Sequence, residues 1–345
     1  MGRGTTAAPP LQALVGLAVP VCQEAERRSP RTGPGRPPDI PDWVLAALIF
    51  VAVLCRKKTK AAQYRFLCAR RADLAAWLGA DHFPARSSYY ERYRRAHRLF
   101  REAIRLQGQQ AVADGLAAPE VVAVDKTLLE GLGPPWHKQG RRRAEVPAGV
   151  DPDTTWGYSF HHGWVQGYSY EVVVTATAGG GVWPLAASVD TASASEAATF
   201  GAKIGQLPPG VKYVTADSAY DVDDFQRDIE EDDRGRRTGR RFACPENPRN
   251  GTGQKPGPAQ KRRERRRQFL AGRRGKKVYR QRSRTVEPFH EWLDRAFEVA
   301  RVWHRGLDNN RTQVLAAIFA YQVLLRYNHE KGNHNGQIKA ILDSL

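Results

Sequence analysis

The chain predicts a mixed α/β core, a sheet flanked by helices, behind an all-α N-terminal region. Three observations point there. Residues 121–124 are an apolar run of strand length that ends on Asp125, and residues 213–216 are a second strand-like run that ends on Asp217. Between them, residues 155–161 and 168–178 are rich in β-branched and aromatic side chains and are separated by a stretch bounded by Gly163 and Gly167. Upstream of residue 116, apolar residues instead recur at helical spacing, and residues 43–55 form a continuous apolar run suited to a buried helix.

Composition narrows the partners. The chain has 345 residues, with 54 Lys+Arg against 36 Asp+Glu, a formal charge of +18. Such an excess favours a polyanion, because Lys and Arg release the counterions condensed on nucleic acid. With 41% hydrophobic residues and 8 Trp the chain can also build a real core. The 4 cysteines (Cys22, Cys55, Cys68, Cys244) form no CxxC pair, which argues against a disulfide framework or a zinc knuckle and fits a reducing cytoplasm. The 43–55 run is too short to span a bilayer, so no membrane partner is expected.

Residues 1–40 are rich in Pro, Gly and Arg and are expected to be disordered. Residues 41–115 read as a helical, DNA-binding region. Asp42 is placed to cap the first helix, and residues 59–78 read as one or two more, broken at Gly79. Ser88 with Glu91 has the spacing of a capping box. In the helix that follows, Tyr89, Tyr93, Phe100 and Ile104 share a face, while Arg92 and Arg95 belong to a basic one. A helix, a short turn and a basic amphipathic helix make a helix-turn-helix-like pattern, with Arg92 and Arg95 as DNA contacts. An ordinary surface helix with a solvated arginine face would look similar.

Residues 116–330 read as the catalytic unit. The Asp125 strand is followed by two antiparallel strands joined through residues 163–167, then a strand around 182–189. A helix over 193–206 follows, capped by Ser193 or Ser195. The chain then turns at Pro208 and Pro209 into the Asp217 strand. Three antiparallel strands, a helix and a strand returning beside the first make an RNase H-like sheet, which would set Asp125 and Asp217 on neighbouring strands. Residues 234–285 hold 20 Lys or Arg against Glu246 and Glu264 alone, and read as a flexible basic loop with Lys261, Arg262 and Arg263 on DNA. The acids from Asp221 to Asp233 read as a solvated face. Glu287, just before Pro288, reads as the start of a helix. Helices are expected over 287–301 and 312–327, and residues 331–345 read as a polar tail.

Two strand-end aspartates and a helical glutamate suit phosphodiester chemistry. That reaction needs an activated nucleophile, a stabilised leaving group and neutralised charge, and two divalent ions about 3.5–4 Å apart supply all three. Carboxylates are the hard oxygen ligands that Mg²⁺ or Mn²⁺ prefers. Asp125 would bridge the two ions, with Asp217 and Glu287 each completing one site. Each acid also has a plainer reading, as a turn cap or a first-turn partner of the helix dipole. Arg280, Arg282 and Arg284 are candidates for bidentate phosphate contacts. His161, at a strand end, and Lys126, beside Asp125, are further candidates for contact with phosphate or metal.

Three blocks, VVAVDKT (121–127), VTADSAYD (214–221) and RTVEPFHEWL (284–293), resemble the carboxylate blocks of DDE-type bacterial insertion-sequence transposases. GYSFH (157–161) resembles their second-strand block. The resemblance spans roughly residues 120–325. It implies an RNase H-like catalytic domain that uses Mg²⁺ to cleave DNA at transposon ends and joins the freed 3′-OH to target DNA, acting as a homo-oligomer on DNA. By position, Asp125, Asp217 and Glu287 match the acidic triad, and Tyr279 and Arg284 match the tyrosine and arginine of the last block. The lysine that often follows the glutamate by seven residues is replaced by Asp294. The segment between Asp217 and Glu287 is expected to be a basic loop with short strands rather than a large β-rich insertion. An RNase H-like nuclease without strand transfer, or an inactive copy that binds DNA, are the competing readings.

Overall fold

The computed structural model describes residues 10–30, 38–136, 148–159, 163–248, 257–334 and 336–345. Strand β1 (Ala117–Glu130) is central because Val122, Ala123 and Val124 are buried on both of its faces, as a strand covered on two sides requires. On one side it pairs antiparallel with β3 (Gly163–Thr177), Asp125 lying opposite Val172. On the other it pairs in parallel with β5 (Tyr213–Thr215), and β5 in turn with β6 (Arg241–Ala243). Strand β4 (Val182–Thr191) runs antiparallel to β3 along its outer edge. The order β4-β3-β1-β5-β6, three antiparallel strands and then two parallel to the first, is the RNase H-like sheet expected.

Strand β2 (Thr155–Ser159) pairs with Gly163 to Gly167 of β3. Gly167 faces both Glu130 and Thr155, so β2 continues the β4 edge. A side chain at Gly167 would meet the Leu129 carbonyl at 2.0 Å, which explains the glycine. Residues 163–167 are thus the first part of a strand, not the link between two.

Five helices precede or cover this sheet from the N-terminal side: α1 (Pro10–Arg28), α2 (Asp42–Leu54), α3 (Lys60–Ala69), α4 (Arg71–Leu78) and α5 (Arg86–Tyr93). A sixth, α6 (His97–Ala113), packs on β4, where a side chain at Gly108 would stand 2.9 Å from the Leu185 backbone. Beyond β4 come α7 (Glu196–Ile204), α8 (Asp223–Glu230), α9 (Pro258–Ala271), α10 (Arg273–Phe297), α11 (Leu307–Glu330) and α12 (Lys339–Asp343). Ser195 caps α7 as expected, accepting from the Ala198 N–H. Every residue of α11 from 312 to 325 is buried, and one apolar cluster runs from Leu14 in α1 to Leu342 in α12. The N-terminal helices and the sheet therefore share a core.

Several expectations need correction. Residues 1–40 include α1, whose Leu14, Val15, Ala18, Cys22 and Ala25 are fully buried at helical spacing; the Pro and Gly around it hid that stripe. Glu26 of α1 accepts the Asp42 N–H at 2.7 Å and so caps α2. Residue 88 lies inside α5, which starts at Arg86 without a side-chain cap. The helix expected after residue 88 is two, α5 and α6, broken at residues 94–96, and its apolar face of Tyr89, Tyr93, Phe100 and Ile104 is fully buried as expected. The 234–285 segment contains β6, all of α9 and the first half of α10. Helix α10 passes straight through Pro288, which leaves only the carbonyl of exposed Arg284 without its helical donor. The polar tail folds back, burying Ile338 and Leu342.

Candidate active site

Asp125 stands two residues beyond the Ala123–Thr215 pair of the parallel β1–β5 ladder, and Asp217 two residues beyond it on the other strand. Parallel pairing therefore brings both carboxylates to the same end of that ladder, although β1, expected to end on Asp125, runs on beside β3 to Glu130. Asp217 also caps a short 3-10 turn (Ser218–Tyr220), its Oδ1 accepting the Ala219 N–H at 2.9 Å. The turn reading and the site reading hold for the same residue.

Helix α10 crosses this end and brings Arg282 and His290 to the pair. Arg282 Nη2 donates to Asp125 Oδ1 at 2.8 Å and lies 3.7 Å from Asp217 Oδ2, so one guanidinium faces both carboxylates. His290 Nε2 lies 3.4 Å from Asp125 Oδ2, and its Nδ1 lies 2.6 Å from the hydroxyl of Tyr170 on β3. Burial would raise the Asp125 carboxyl, but His290 and then Arg282 outweigh it and hold it below the ordinary carboxylate range. Burial and the Asp125 charge raise Asp217 instead, with Arg282 and the Ala219 N–H opposing. Two neighbouring carboxylates with opposite shifts are an arrangement found at reactive centres.

The remaining candidates fall into distinct places. Glu287 is exposed on α10, the helix that carries Arg282 and His290. Among the described residues no three His, Cys, Asp or Glu side chains gather as a metal site, so two of the three expected acids are brought together here. Tyr279 is half-buried, one helical turn from Arg282. Arg280 and Arg284 are exposed and make no ion pair among the described residues. Arg282 is instead held by the two aspartates. Lys126 turns away from Asp125 to Glu196, at 2.6 Å, because successive residues of a strand face opposite sides of the sheet. Arg92 is tied to Asp42, its Nε donating at 3.1 Å, and Arg95 lies 3.9 Å from Glu91. His161 lies outside the described residues.

The basic run is also spoken for. Arg262 Nε donates to Asp223 at 2.8 Å, Arg263 lies 3.5 Å from Asp221, and buried Arg266 pairs with buried Asp221; Lys261 is exposed. Asp221 and Asp223, two of the acids read as a solvated face, are thus partners of the run read as a free loop, while Asp224 and Asp228 stay exposed beside Arg227.

His290 and Tyr170 were not anticipated. Residues 282, 286 and 290 share a helical face, a signal that splitting the segment at Pro288 concealed. Beside Tyr170 and His290 opens a cleft of about 480 Å³ lined by Trp156 and Trp164. Trp164 is exposed and packs edge to face with exposed Tyr158, with centroids 5.4 Å apart.

No helix among the described residues is long and apolar enough to cross a membrane. Comparison with curated proteins and with solved structures found no match. A family model described as a transposase DDE domain matches residues 116–323, from the start of β1 into α11 and across both aspartates. That match covers more than half of the chain, and the protein belongs to the transposase DDE-domain family, enzymes of transposition that act on DNA.

Proposed function

We propose that the protein is the transposase of an insertion sequence, cleaving phosphodiesters at the terminal inverted repeats of its own element and joining the freed 3′-OH ends to target DNA. Asp125, Asp217 and Glu287 are its catalytic and metal-binding carboxylates. The observation that carries this reading is the pair of aspartates just past the end of the parallel β1–β5 ladder, facing one cation, Arg282. Two hard carboxylates that already share a positive charge suit Mg²⁺ or Mn²⁺, and a pair of such ions supplies nucleophile activation and charge neutralisation at the scissile phosphate. Asp125 and Asp217 would hold them, with Glu287 contributed by α10.

This chain's own residues orient the DNA. Arg273, Lys276, Lys277, Arg280 and Arg284 recur at helical spacing, all exposed and without ion pairs among the described residues, as a track for phosphates needs. Arg282, once released from the aspartates, holds a phosphate oxygen near the scissile bond. The exposed rings of Tyr158 and Trp164 offer a stacking surface for bases. Both ends of an element must meet in one complex for joining, so the protein works as an oligomer on DNA.

The test is cleavage of a duplex carrying the element's flanking sequence, with Mg²⁺ or Mn²⁺, comparing the protein with Glu287→Ala. Metal-dependent nicking at the repeat boundary, followed by joining and lost in the variant, is expected. Nicking without joining would make the protein a nuclease. Binding without cleavage, with both ends present, would make it an inactive copy.

A further inference from the structure

We propose that His290 and Tyr170 are positioning residues that fix the orientation of the Asp125 carboxylate. The inference rests on Asp125 being a catalytic carboxylate, and it concerns two residues outside the acidic triad.

Asp125 has two oxygens with separate neighbours: Oδ1 meets Arg282 at 2.8 Å and Oδ2 faces His290 Nε2 at 3.4 Å. A bound cation would compete with Arg282 for Asp125 Oδ1. The His290 contact need not be disturbed. It approaches from the other oxygen, and the ring has its own anchor, since Nδ1 lies 2.6 Å from the Tyr170 hydroxyl and the two rings pack edge to face at 5.2 Å. Tyr170 is itself fully buried on β3, the strand that pairs with β1, so the anchor belongs to the sheet that carries Asp125.

The hydrogen-bond roles follow from chemistry. A buried phenol at neutral pH keeps its proton, and here burial and the Asp125 charge raise its titration well above the ordinary value. A neutral His290 therefore gains most by accepting that proton at Nδ1, which leaves the ring N–H on Nε2, aimed at Asp125 Oδ2. A protonated ring carries an N–H there as well. Nε2 has no hydrogen bond of good geometry in this structure, a costly state for a buried nitrogen, and the carboxylate oxygen 3.4 Å away is the acceptor that would satisfy it. Carboxylates that ligate metal are themselves held by hydrogen bonds from outer-shell partners, and losing such a partner lowers affinity or activity roughly 10–100-fold.

The deciding measurement is nitrogen NMR of the full-length protein with labelled histidine, without metal or DNA, the His290 signals assigned by their absence in His290→Gln. The neutral ring is expected with its proton on Nε2, and Tyr170→Phe, which keeps the buried ring, is expected to shift the Nδ1 signal through loss of the hydrogen bond it accepts while the proton stays on Nε2. A neutral ring with its proton on Nδ1 in the unaltered protein, or an Nδ1 signal indifferent to Tyr170→Phe, overturns the proposal. Mn²⁺ affinity supplies a second readout. Tyr170→Phe and His290→Gln should each weaken binding roughly 10-fold and not add when combined; additive losses would mean two unrelated packing defects. Both readouts are independent of cleavage, so an uncleaved duplex would count against the proposed function and leave this inference to stand or fall on the tautomer.

Discussion

Helices α9 and α10 follow one another across Gly272 and both are dominated by Lys and Arg, yet they use their charge in opposite ways. In α9 the arginines are committed to the protein. Arg262 holds Asp223, Arg266 and Arg263 hold Asp221, Arg265 lies 3.9 Å from Glu231, and Arg267 bridges Glu246 and Glu264. In the first half of α10, Arg273, Lys276, Lys277, Arg280 and Arg284 are exposed with no acidic partner among the described residues. Arg282 is the exception there, and its partners are the two aspartates of the site. Charge density in a sequence shows that a polyanion is near, whereas internal pairing decides which cations are left for it. By that measure α10, rather than the denser run in α9, is where the proposed DNA contact is expected.

The sharpest way to break this contrast is at Arg282, whose aspartate partners should serve chemistry rather than stability. Asp217→Ala is expected to abolish cleavage while leaving DNA affinity within a few-fold, measured by nicking and by binding at fixed salt. A variant that still cleaves would remove Asp217 from the triad and make the Arg282 contact an ordinary ion pair.

The α9 side of the contrast predicts the opposite behaviour. Asp221 and Arg266 are nearly inaccessible, and Asp221 also accepts the Asn247 N–H at 2.9 Å. Asp221→Ala leaves a buried guanidinium without its carboxylate, a change that costs about 3–5 kcal/mol. Urea unfolding would read it. A loss under about 1 kcal/mol, the value of an exposed pair, would mean that α9 is loosely attached and its arginines are free for DNA after all.

A direct comparison of the two helices comes from salt dependence. Replacing Lys276, Arg280 and Arg284 with Ala should weaken binding to any duplex and reduce the slope of log affinity against log salt by up to about 3, close to one for each phosphate released. Arg262→Ala and Arg267→Ala should barely move that slope. Equal slope changes from the two sets would erase the distinction.

Part of this site was legible because an acid that closes an apolar run announces itself, even though β1 continues past Asp125 to Glu130. The apolar runs before Asp125 and Asp217 gave both strands, and the order of segments placed them side by side. What stayed hidden depends on contacts far apart in sequence. Nothing local in residues 261–267 reveals that Asp221 and Asp223, some 40 positions away, neutralise them. Helix α1 was lost because Pro and Gly on its flanks outweighed a five-residue apolar stripe that only a partner surface makes meaningful. His290 was missed through a boundary error. Pro288 reads locally as a helix start, and only a helix running through it puts residue 290 on the face of Arg282.

The smallest effect separates the two aspartates themselves. Asp125 titrates below its ordinary value, so its ionised form is favoured by folding. That contribution is present above the unfolded value and is lost as pH falls through the folded one. Asp217 is raised, chiefly by burial and by the charge of Asp125. The folded protein takes up that proton more readily than the unfolded chain, and the ionised carboxylate is a burden at neutral pH that acid relieves. Asp217→Asn is therefore expected to unfold at a slightly higher temperature than the unaltered protein at neutral pH, the gain shrinking as pH falls through the carboxylate range. Asp125→Asn should be less stable at neutral pH, with its deficit also shrinking in acid. Thermal unfolding of both variants across that range checks the pair of signs. Opposite signs would mean that the two carboxylates are held close against the preference of the fold, as a site kept for its chemistry rather than its stability would be. A loss of stability in both would make them two halves of a structural ion pair with Arg282.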